Sequence, residues 1–437
     1  SSDLIIKNMI DNILDELFSL RTGKRRENID DLKLVYNLLG KPCESVKVIH
    51  IAGTNGKGST ATFLENILLE AGYNVGKFTS PHILKYNERI LYSRQMIDDE
   101  EIVKNYHFLK QVIEEFKREN VDFKDMYLNF FEITTFIALM FFAKKNPDFL
   151  VIETGLGGRL DATNILTSDI ALITNISFDH TAILGNSLKE ISYEKAGIIK
   201  NRELCIYADS LPELEEEINK KTENSINVIK KYCDMEVELD KINYKTIIKF
   251  QDKKFTLPLF GKFQANNFLL AYETSKFYNI NDETIQKGIS KVFWPARFEF
   301  FSTEPPVILD AAHNDDSIRK LTENLSEVYK KNEVVIITSL LATKDFEQVF
   351  TKLEKITDKI FITSLKDTVY GLTSSEIREK MISLNIPVDS IIFEDDIMTA
   401  YENALSIVKD RNSRYKAIVI CGSFYEIAKF NKIIAGK

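Results

Sequence analysis

The chain has 437 residues, with 57 Lys and Arg against 65 Asp and Glu, which gives a formal net charge of −8. This length allows about two to four domains, and 44% apolar residues supply a core for each, so a largely disordered chain is excluded. Charged residues make up 28% of the chain without a basic excess. We therefore expect neither nucleic acid nor an anionic membrane as a partner.

The cysteines and the apolar stretches indicate in which cellular compartment the protein resides. The four cysteines are Cys43, Cys205, Cys233 and Cys421. They form no C-x-x-C pair, which fits reduced thiols and predicts neither a disulfide framework nor a zinc site. The longest apolar stretch, residues 136–143, is far shorter than the ~20 residues that span a bilayer, and the N-terminus lacks a basic-then-apolar signal pattern. We therefore expect a cytoplasmic protein.

Helix and strand patterns alternate along the first two hundred residues. Apolar positions at helical spacing predict two helices in the first fifty residues, with a basic loop from Arg21 to Arg26 between them. Runs rich in Val and Ile follow at 46–52, 148–153 and 169–175, with a helical pattern at 59–71. Near-continuous apolar strands that alternate with helices are typical of a parallel sheet covered on both faces.

The pattern changes after Asn201, where shorter polar strands precede a helix over 264–278. Pro295, Pro305 and Pro306 predict an extended linker. Five further strands, at 307–310, 334–339, 359–363, 390–393 and 417–421, alternate with helical segments. The fold class is therefore α/β: a P-loop ATPase-like parallel-sheet domain over 1–294, a linker over 295–306 that we expect to act as a hinge, and a smaller Rossmann-like domain over 307–437.

The strongest motif is Gly53-Thr-Asn-Gly-Lys-Gly-Ser59, where a strand meets a glycine-rich turn that begins a helix. Backbone N–H groups of such a turn, the helix N-terminus and the mobile charge of Lys57 suit nucleotide phosphates. The motif departs from the standard P-loop, because Ile51 stands in place of glycine and Gly58 in place of Ser or Thr. A plain strand-to-helix turn is the alternative, but three glycines and a lysine favour phosphate binding.

Polar residues follow the next two buried strands. Glu153 ends one, and Asp179-His180 comes after the other. Ligands of open α/β sheets bind at the carboxyl ends of strands, so we expect both at the same edge as Lys57. A carboxylate beside a triphosphate often holds Mg²⁺, and an imidazole can join it, although histidine is an unusual ligand for this cation. Glu153 as a helix cap and His180 as a loop histidine are the alternatives; their convergence favours a metal site.

A third signal comes from helical periodicity. Ser187 and Glu190 form a capping box at the start of a helix predicted over 188–200. Lys195 falls within the apolar stripe of this helix. Burial would lower the pKa of this lysine, and the neutral amine could contact a phosphate, act as a base, or react with CO₂ to give a metal-binding carbamate. A lysine at the edge of the stripe that reaches water fits the pattern equally well.

Four motifs in order resemble the folylpolyglutamate synthase/dihydrofolate synthase family of ATP-dependent Mur-type amide ligases. They are Gly53–Ser59, Thr79-Ser-Pro-His82, Glu153-Thr-Gly-Leu-Gly-Gly-Arg-Leu-Asp-Ala-Thr-Asn164 and Glu194-Lys-Ala-Gly-Ile198. The resemblance extends to Gly422-Ser423-Phe-Tyr425 and thus covers nearly the whole chain. It implies an enzyme that adds L-glutamate to reduced folates, and to dihydropteroate, through an acyl phosphate.

The resemblance also implies roles for individual residues. The ATP-binding residues it implies are Thr54, Asn55, Gly56, Lys57, Gly58, Ser59, Asn267, Arg297 and Asp310. The metal ligands, for two Mg²⁺ sites, are Ser80, Glu153, His180 and a CO₂-derived carbamate on Lys195. The glutamate site comprises His313 and Ser423. The residues implied in catalysis are Lys57, Lys195, His180 and His313.

Three positions depart from the family pattern: Ala311 replaces a glycine, Phe263 replaces a histidine, and Thr343 replaces the first aspartate of an Asp-Lys-Asp element. The resemblance implies a monomer whose partners are ATP, L-glutamate and a reduced folate or dihydropteroate. A Mur-type peptide ligase of wall synthesis is one alternative, but the run from Leu156 to Asn164 favours the folate branch. A non-ligating nucleotide-dependent switch is the other, and it would leave the implied glutamate site without a role.

Overall fold

The computed structural model describes residues 2–20, 26–200 and 203–435. The chain forms two compact units, one of Ser1–Cys233 with Asn266–Lys291 and the other of Asp234–Ala265 with Val292–Lys437. Residues 234–265, which the sequence analysis assigned to the N-terminal domain, thus group with the second unit. The predicted basic loop lies outside the described residues except for Arg26, which forms ion pairs with Asp31 and Glu132.

The first unit contains eleven α-helices within the described residues, counting the one that begins at its boundary. They are α1 (Ser2–Ser19), α2 (Asp30–Leu38), α3 (Lys57–Glu70), α4 (Asp99–Glu119), α5 (Phe130–Lys145), α6 (Thr181–Leu184), α7 (Leu188–Ala196), α8 (Pro212–Asn219), α9 (Val228–Lys231), α10 (Gln264–Phe277) and α11 (Asp282–Ile289). Its strands are β1 (Lys47–Ala52), β2 (Val75–Phe78), β3 (Ile90–Tyr92), β4 (Gln95–Met96), β5 (Phe149–Glu153), β6 (Ile170–Ile173), β7 (Leu204–Tyr207) and β8 (Ser225–Asn227).

These strands form one sheet in the order β4-β3-β2-β5-β1-β6-β7-β8. The pairs from β2 to β8 are parallel, and only the β2-β3 and β3-β4 pairs are antiparallel. β5 and β6 are buried along their whole length, as is β1 after Lys47, which explains their continuous apolar sequences. The prediction of a parallel sheet is confirmed, and the carboxyl ends of β2, β5, β1 and β6 lie side by side.

The longest apolar stretch of the sequence lies inside α5. This helix is apolar on all sides because most of its residues are buried, among them Phe136, Ile137 and Phe142. Asn129 begins it through a reciprocal hydrogen-bond pair with Glu132. No helix in the part of the chain that the structure describes is both long and apolar enough to cross a membrane.

The second unit contains two sheets. Its strands are β9 (Glu236–Asp240), β10 (Lys245–Phe250), β11 (Lys253–Leu257), β12 (Glu299–Thr303), β13 (Pro306–Leu309), β14 (Val334–Thr338), β15 (Ile360–Ile362), β16 (Ile391–Phe393) and β17 (Ala417–Cys421). Its helices are α12 (Asp315–Val328), α13 (Phe346–Leu353), α14 (Ser374–Ser383), α15 (Ile397–Lys409) and α16 (Phe424–Ala435). The sheet orders are β11-β10-β9, which is antiparallel, and β12-β13-β17-β14-β15-β16, which is parallel from β13 onward.

The segment predicted as a linker is partly a strand. Residues 299–303 form β12, which pairs antiparallel with β13 at the edge of the larger sheet of the second unit. Phe300 of this strand stacks on Tyr244, with 3.8 Å between the ring centroids, and Phe298 stacks on Phe260. The prolines do not hold the whole segment extended, because Pro295 begins a turn in which Ala296 has φ +56° and Pro305 lies in the turn between β12 and β13. Aromatic packing and strand pairing make residues 299–303 part of the second unit. A hinge function for residues 295–306 stays a prediction.

Candidate active site

The glycine-rich loop between β1 and α3 is built around two glycines with positive φ. Gly53 has φ +148° and Gly56, at the start of α3, has φ +88°. A Cβ atom on Gly53 would lie 1.8 Å from Thr174 Oγ1, and one on Gly56 would lie 2.3 Å from Asn267 Oδ1. Both positions therefore require glycine for space as well as for backbone conformation. Asn267 is thereby placed directly against the loop.

Residues that follow β6 hold the loop in place. Asn175 Oδ1 accepts a hydrogen bond of 2.8 Å from the backbone N–H of Asn55, and Asn175 O accepts one of 2.9 Å from the N–H of Thr54. Thr174 Oγ1 donates 2.6 Å to Asn55 O. The loop conformation thus depends on the neighbouring strand, and Thr174 and Asn175 are site residues that the sequence analysis missed.

Lys57, the first residue of α3, folds back over this loop. Its Nζ donates to Gly53 O at 3.0 Å and to Thr54 O at 3.2 Å. The same ammonium lies 3.8 Å from Oε1 of Glu153, the last residue of β5. The predicted convergence of Lys57 and Glu153 at one sheet edge is therefore observed, because Ile51 of β1 pairs with Glu153 of β5.

Glu153 also contacts Ser80, the second residue after β2. The Glu153 side chain is almost fully buried, and its Oε2 accepts a hydrogen bond of 3.1 Å from the backbone N–H of Ser80. A buried carboxylate and a serine hydroxyl are the oxygen donors that Mg²⁺ prefers, so these residues fit that ion. Within residues 2–20, 26–200 and 203–435, no three His, Cys, Asp or Glu side chains cluster as a possible metal site. A metal here would need Ser80 or Lys195 in addition.

Lys195 is buried, with a relative exposure of 3%. Burial, and next the nearby Lys57 ammonium, lower the pKa of Lys195 to about 7, while Asp179 and Asp161 oppose the shift. The alternative of a lysine that reaches water is thus excluded. These interactions also place Lys195 in the same electrostatic environment as Lys57.

The helix that carries Lys195 is shorter than predicted. The capping box of Ser187 and Glu190 is present, but α7 ends at Ala196 rather than at residue 200. Gly197 follows it as the C-cap, and the chain is tightly packed there, since a Cβ on Gly197 would lie 2.3 Å from Arg159 Cβ. The backbone then continues with short-range hydrogen bonds from Ile198 to Lys195 and from Ile199 to Ala196.

His180 lies at the start of α6, on the segment after β6. Its φ is +51°, and its side chain is half exposed. Its Nε2 lies 3.9 Å from Asp179 Oδ1, and its backbone N–H donates 2.9 Å to the same oxygen. His180 and Asp179 are therefore one local unit, and Asp179 also interacts with Lys195.

A buried hydrogen-bond chain behind the site was not predicted. His50 Nε2 lies 2.7 Å from Thr163 Oγ1, which donates 2.5 Å to Asp161 Oδ1. The N–H groups of Gly155 and Leu156 each donate 2.9 Å to Asp161 Oδ2. Since the single hydroxyl proton of Thr163 goes to Asp161, His50 must donate through Nε2–H. A histidine in the middle of an otherwise apolar strand was the available sequence signal.

The protonation state of His50 follows from its surroundings. Complete burial, and next the charge of Lys200, lower the pKa of His50 to about 3, so the imidazole is neutral. Its Nδ1 is buried and has no hydrogen-bond partner among the residues that the structure describes. These hydrogen bonds connect β1, which leads into the glycine-rich loop, to the segment 155–163 that follows Glu153.

In the second unit, Asp310 follows β13 and is buried. Its Oδ2 accepts 2.9 Å from the N–H of Phe298, and its Oδ1 accepts 2.9 Å from the N–H of Ala312. Burial raises the pKa of Asp310 to about 6, and the charge of Arg297 opposes this shift. Asp310 therefore joins the segment before β12 to the loop after β13.

The other predicted residues of this unit lie near Asp310. His313 Nδ1 lies 2.7 Å from Ala311 O, so Nδ1 carries a proton that it donates to this carbonyl. Ser423, after β17, is buried and its Oγ accepts 3.1 Å from the N–H of Tyr425. Ala311 has no positive φ, so the alanine in place of the family's glycine is accommodated without strain. At the second departure, the ring centroid of Phe263 lies 5.5 Å from Lys320 Nζ, which sits over the ring.

Comparison with known proteins assigns the chain to a family. The model of the Mur ligase middle domain matches residues 51–274, and that of the Mur ligase glutamate ligase domain matches residues 296–424. The dihydrofolate synthase/folylpolyglutamate synthase of Bacillus subtilis (strain 168) is 32% identical over 422 residues, which cover 92% of this chain and 93% of that protein. The chain belongs to the Mur ligase family. This Mur ligase is therefore an ATP-dependent ligase, as the four motifs implied.

Solved structures agree with this assignment. The folylpolyglutamate synthase of Mycobacterium tuberculosis, complexed with ADP and AMPPCP, superimposes with a TM-score of 0.87 at 25% identity, over 98% of each chain. The bifunctional folylpolyglutamate synthase/dihydrofolate synthase of Yersinia pestis, complexed with AMPPNP and a Mn ion, gives a TM-score of 0.82 at 26% identity, again over 98% of each chain. The predicted α/β fold class of the Mur ligase is confirmed.

Proposed function

We propose that this Mur ligase uses ATP to add L-glutamate to reduced folates and also to dihydropteroate. The observation that carries the proposal is the joint placement of Lys57, Glu153 and Ser80 at one sheet edge, beside a buried Lys195. The match of residues 296–424 to a glutamate ligase domain supports glutamate as the added amino acid. The name of the Bacillus subtilis relative supports both acceptors.

The nucleotide phosphates bind at the glycine-rich loop in this proposal. Backbone N–H groups of Thr54 to Ser59 face the phosphates, and Lys57 exchanges its contacts with backbone carbonyls for contacts with phosphate oxygens. Asn267, which lies against Gly56, is suited to contact the nucleotide from the same side. In the second unit, Arg297 and Asp310 are the proposed nucleotide contacts.

A divalent metal, Mg²⁺, is proposed at Ser80 and Glu153, and a second one at His180 and Lys195. When bound, such ions neutralise charge on the phosphate oxygens. The neutral amine of Lys195 reacts with the carbon of CO₂, forms an N–C bond and loses a proton, which gives a carbamate with two oxygen donors. Without that modification Lys195 would place a nitrogen where Mg²⁺ prefers oxygen.

The chemistry proposed for the chain's residues is phosphoryl transfer followed by amide formation. The acceptor carboxylate attacks the γ-phosphorus of ATP, the bond to the bridging oxygen breaks, and Lys57 stabilises the charge on the transferring group. The product is an acyl phosphate. The glutamate amine then attacks the acyl carbon, loses a proton, and phosphate leaves.

Glutamate is proposed to bind at His313 and Ser423 of the second unit. In the neutral form of His313, with Nδ1 bonded to Ala311 O, Nε2 can receive a hydrogen bond from the ammonium of glutamate or take a proton from its amine. The buried hydroxyl of Ser423 can donate to a carboxylate oxygen. We also propose that the enzyme is a monomer with small-molecule substrates only.

ADP release by the purified chain tests the proposal. The assay contains ATP and Mg²⁺ with dihydropteroate or tetrahydrofolate, each with and without L-glutamate. We expect glutamate-dependent release with both acceptors, and its loss in Lys57→Met. Release with tetrahydrofolate alone would restrict the enzyme to adding glutamate to reduced folates. Release that is indifferent to glutamate and to both pterins would refute the ligase and favour the nucleotide-dependent switch.

A further inference from the structure

Three loops of the second unit are joined by hydrogen bonds around Asp310. Its two carboxylate oxygens accept the N–H groups of Phe298 and Ala312, each at 2.9 Å. The N–H of Gly422 in turn donates 2.9 Å to Ala312 O. Gly422 has φ +101°, and a Cβ there would lie 2.3 Å from Thr338 Oγ1, so this turn is also closely packed. The backbone that precedes Phe424 is therefore held firmly relative to the loops that carry Arg297 and His313.

The ring of Phe424, the first residue of α16, contacts the side chains of both these loops. Arg297 Cζ lies 5.0 Å from the centroid of this ring. The ring of His313 lies 5.8 Å from it, centroid to centroid, at an interplanar angle of 55°. A guanidinium within about 6 Å of an aromatic face is attracted by the ring quadrupole, and ring pairs at such distances attract as well. One half-buried side chain thus orients a cation and an imidazole together.

We propose that Phe424 is a positioning residue that holds Arg297 ready for the nucleotide and His313 ready for glutamate. This inference rests on the proposed function, in which those two residues contact the two substrates. Arginine has several rotatable bonds, and a fixed aromatic face reduces the conformational entropy that the side chain loses when it binds a phosphate. The hydrogen bond from Nδ1 to Ala311 O holds one side of the His313 ring, and the contact with the Phe424 ring limits rotation of the imidazole about that hydrogen bond. Leucine would fill similar space without the ring quadrupole.

The test compares Phe424→Leu with Phe424→Tyr in the full-length enzyme. We expect Phe424→Leu to raise the KM for ATP on the order of 3- to 30-fold, the range of a cation–π contact. The KM for glutamate should rise on the order of 2- to 10-fold, the range of an aromatic ring pair, and the KM for tetrahydrofolate should stay within about twofold. Phe424→Tyr keeps the ring and should stay within about twofold of the wild type in all three. Phe430→Leu is the matched control, because Phe430 lies on the same helix and is buried against Phe301 and Tyr401.

The control separates positioning from stability. Phe430→Leu should lower the unfolding temperature without raising the KM values for ATP and glutamate relative to that for tetrahydrofolate. Unchanged KM values for ATP and glutamate in Phe424→Leu would overturn the inference, and so would an equal rise of all three KM values. An unfolded Phe424→Leu would leave Phe424→Tyr as the test, and a 30-fold rise in its KM for ATP would also contradict the role of the ring.

A spectroscopic measurement distinguishes failure of this inference from failure of the proposed function. The chain has five histidines, so the ring proton signals can be assigned in histidine-labelled protein with His313→Gln. The signal of His313 should shift in Phe424→Leu and not in Phe430→Leu, whether or not the protein ligates glutamate. No shift would refute the ring contact. Wild-type ADP release without any glutamate dependence would refute the proposed function instead.

Discussion

Replacement of His50 by glutamine tests the buried chain from β1 to the segment after Glu153. In the wild type, His50 donates from Nε2–H to Thr163, which donates to Asp161. A glutamine amide can also donate a hydrogen bond, but it fills less space than the imidazole and cannot take up a proton. At pH 7 we therefore expect a modest loss, about 1 kcal/mol in the free energy of unfolding.

The pH dependence carries the stronger prediction. Burial lowers the pKa of His50 to about 3, whereas an unfolded histidine has a pKa near 6.5. Between these values the unfolded state binds more protons than the native state, so His50 destabilises the fold progressively as the pH falls from about 6.5. From pH 7 to pH 5 the wild type should lose about 2 kcal/mol that His50→Gln does not lose. The order of stability should therefore reverse, with the variant more stable by about 1 kcal/mol at pH 5.

Native-state hydrogen exchange of peptides that cover β1 and β5 measures this free energy in the first unit. Exchange rates at pH 5 and pH 7, corrected for the intrinsic rate at each pH, give the free energy of opening for both proteins. The exposed His107 of α4 supplies the control, since His107→Gln removes an imidazole that is not buried. If the difference between wild type and His50→Gln were the same at both pH values, the buried neutral imidazole would be refuted.

Three further substitutions test other features of the first unit. Gly56→Ala forces a Cβ to 2.3 Å from Asn267 Oδ1 at φ +88°, so we expect its nucleotide affinity to fall on the order of tenfold by calorimetry. Gly40→Ala, at φ +74° with no atom within 4 Å of its Cβ, should keep wild-type affinity; equal losses would contradict the steric argument. Glu153→Gln keeps the shape but not the charge, and should lower Mg²⁺ affinity at least about tenfold in a titration of ADP release; unchanged affinity would exclude Glu153 as a ligand. Lys77→Met leaves Glu65 buried without its ion-pair partner and should cost about 3–5 kcal/mol in urea unfolding, most of which Lys77→Met with Glu65→Leu should recover. An equal loss in the double variant would show that the ion pair itself is not responsible.

The local sequence pattern determined most of the elements and the glycine-rich loop. The strands β1, β5, β6, β14 and β17 begin and end within two residues of their predicted bounds, because continuous apolar runs between turn residues depend little on distant neighbours. The parallel arrangement followed from alternation with helices, and it correctly predicted that Glu153 and Lys57 meet at one edge. The glycine spacing predicted a tight turn, since only glycine adopts those φ values freely.

Only the tertiary structure decided features that depend on residues distant in sequence. Periodicity left Lys195 either buried or at the edge of its helix, and burial near Lys57 and Asp179 decides between them. Only glycine fits at position 197, just after α7, because a Cβ there would meet Arg159, which lies 38 residues before it in the chain. Residues 299–303 look like a proline-bounded linker, yet pairing with β13 and stacking on Tyr244 make them a strand. The hydrogen bond between His50 and Thr163 and the cation–π contact between Phe424 and Arg297 join residues more than 100 positions apart. No local pattern encodes such contacts.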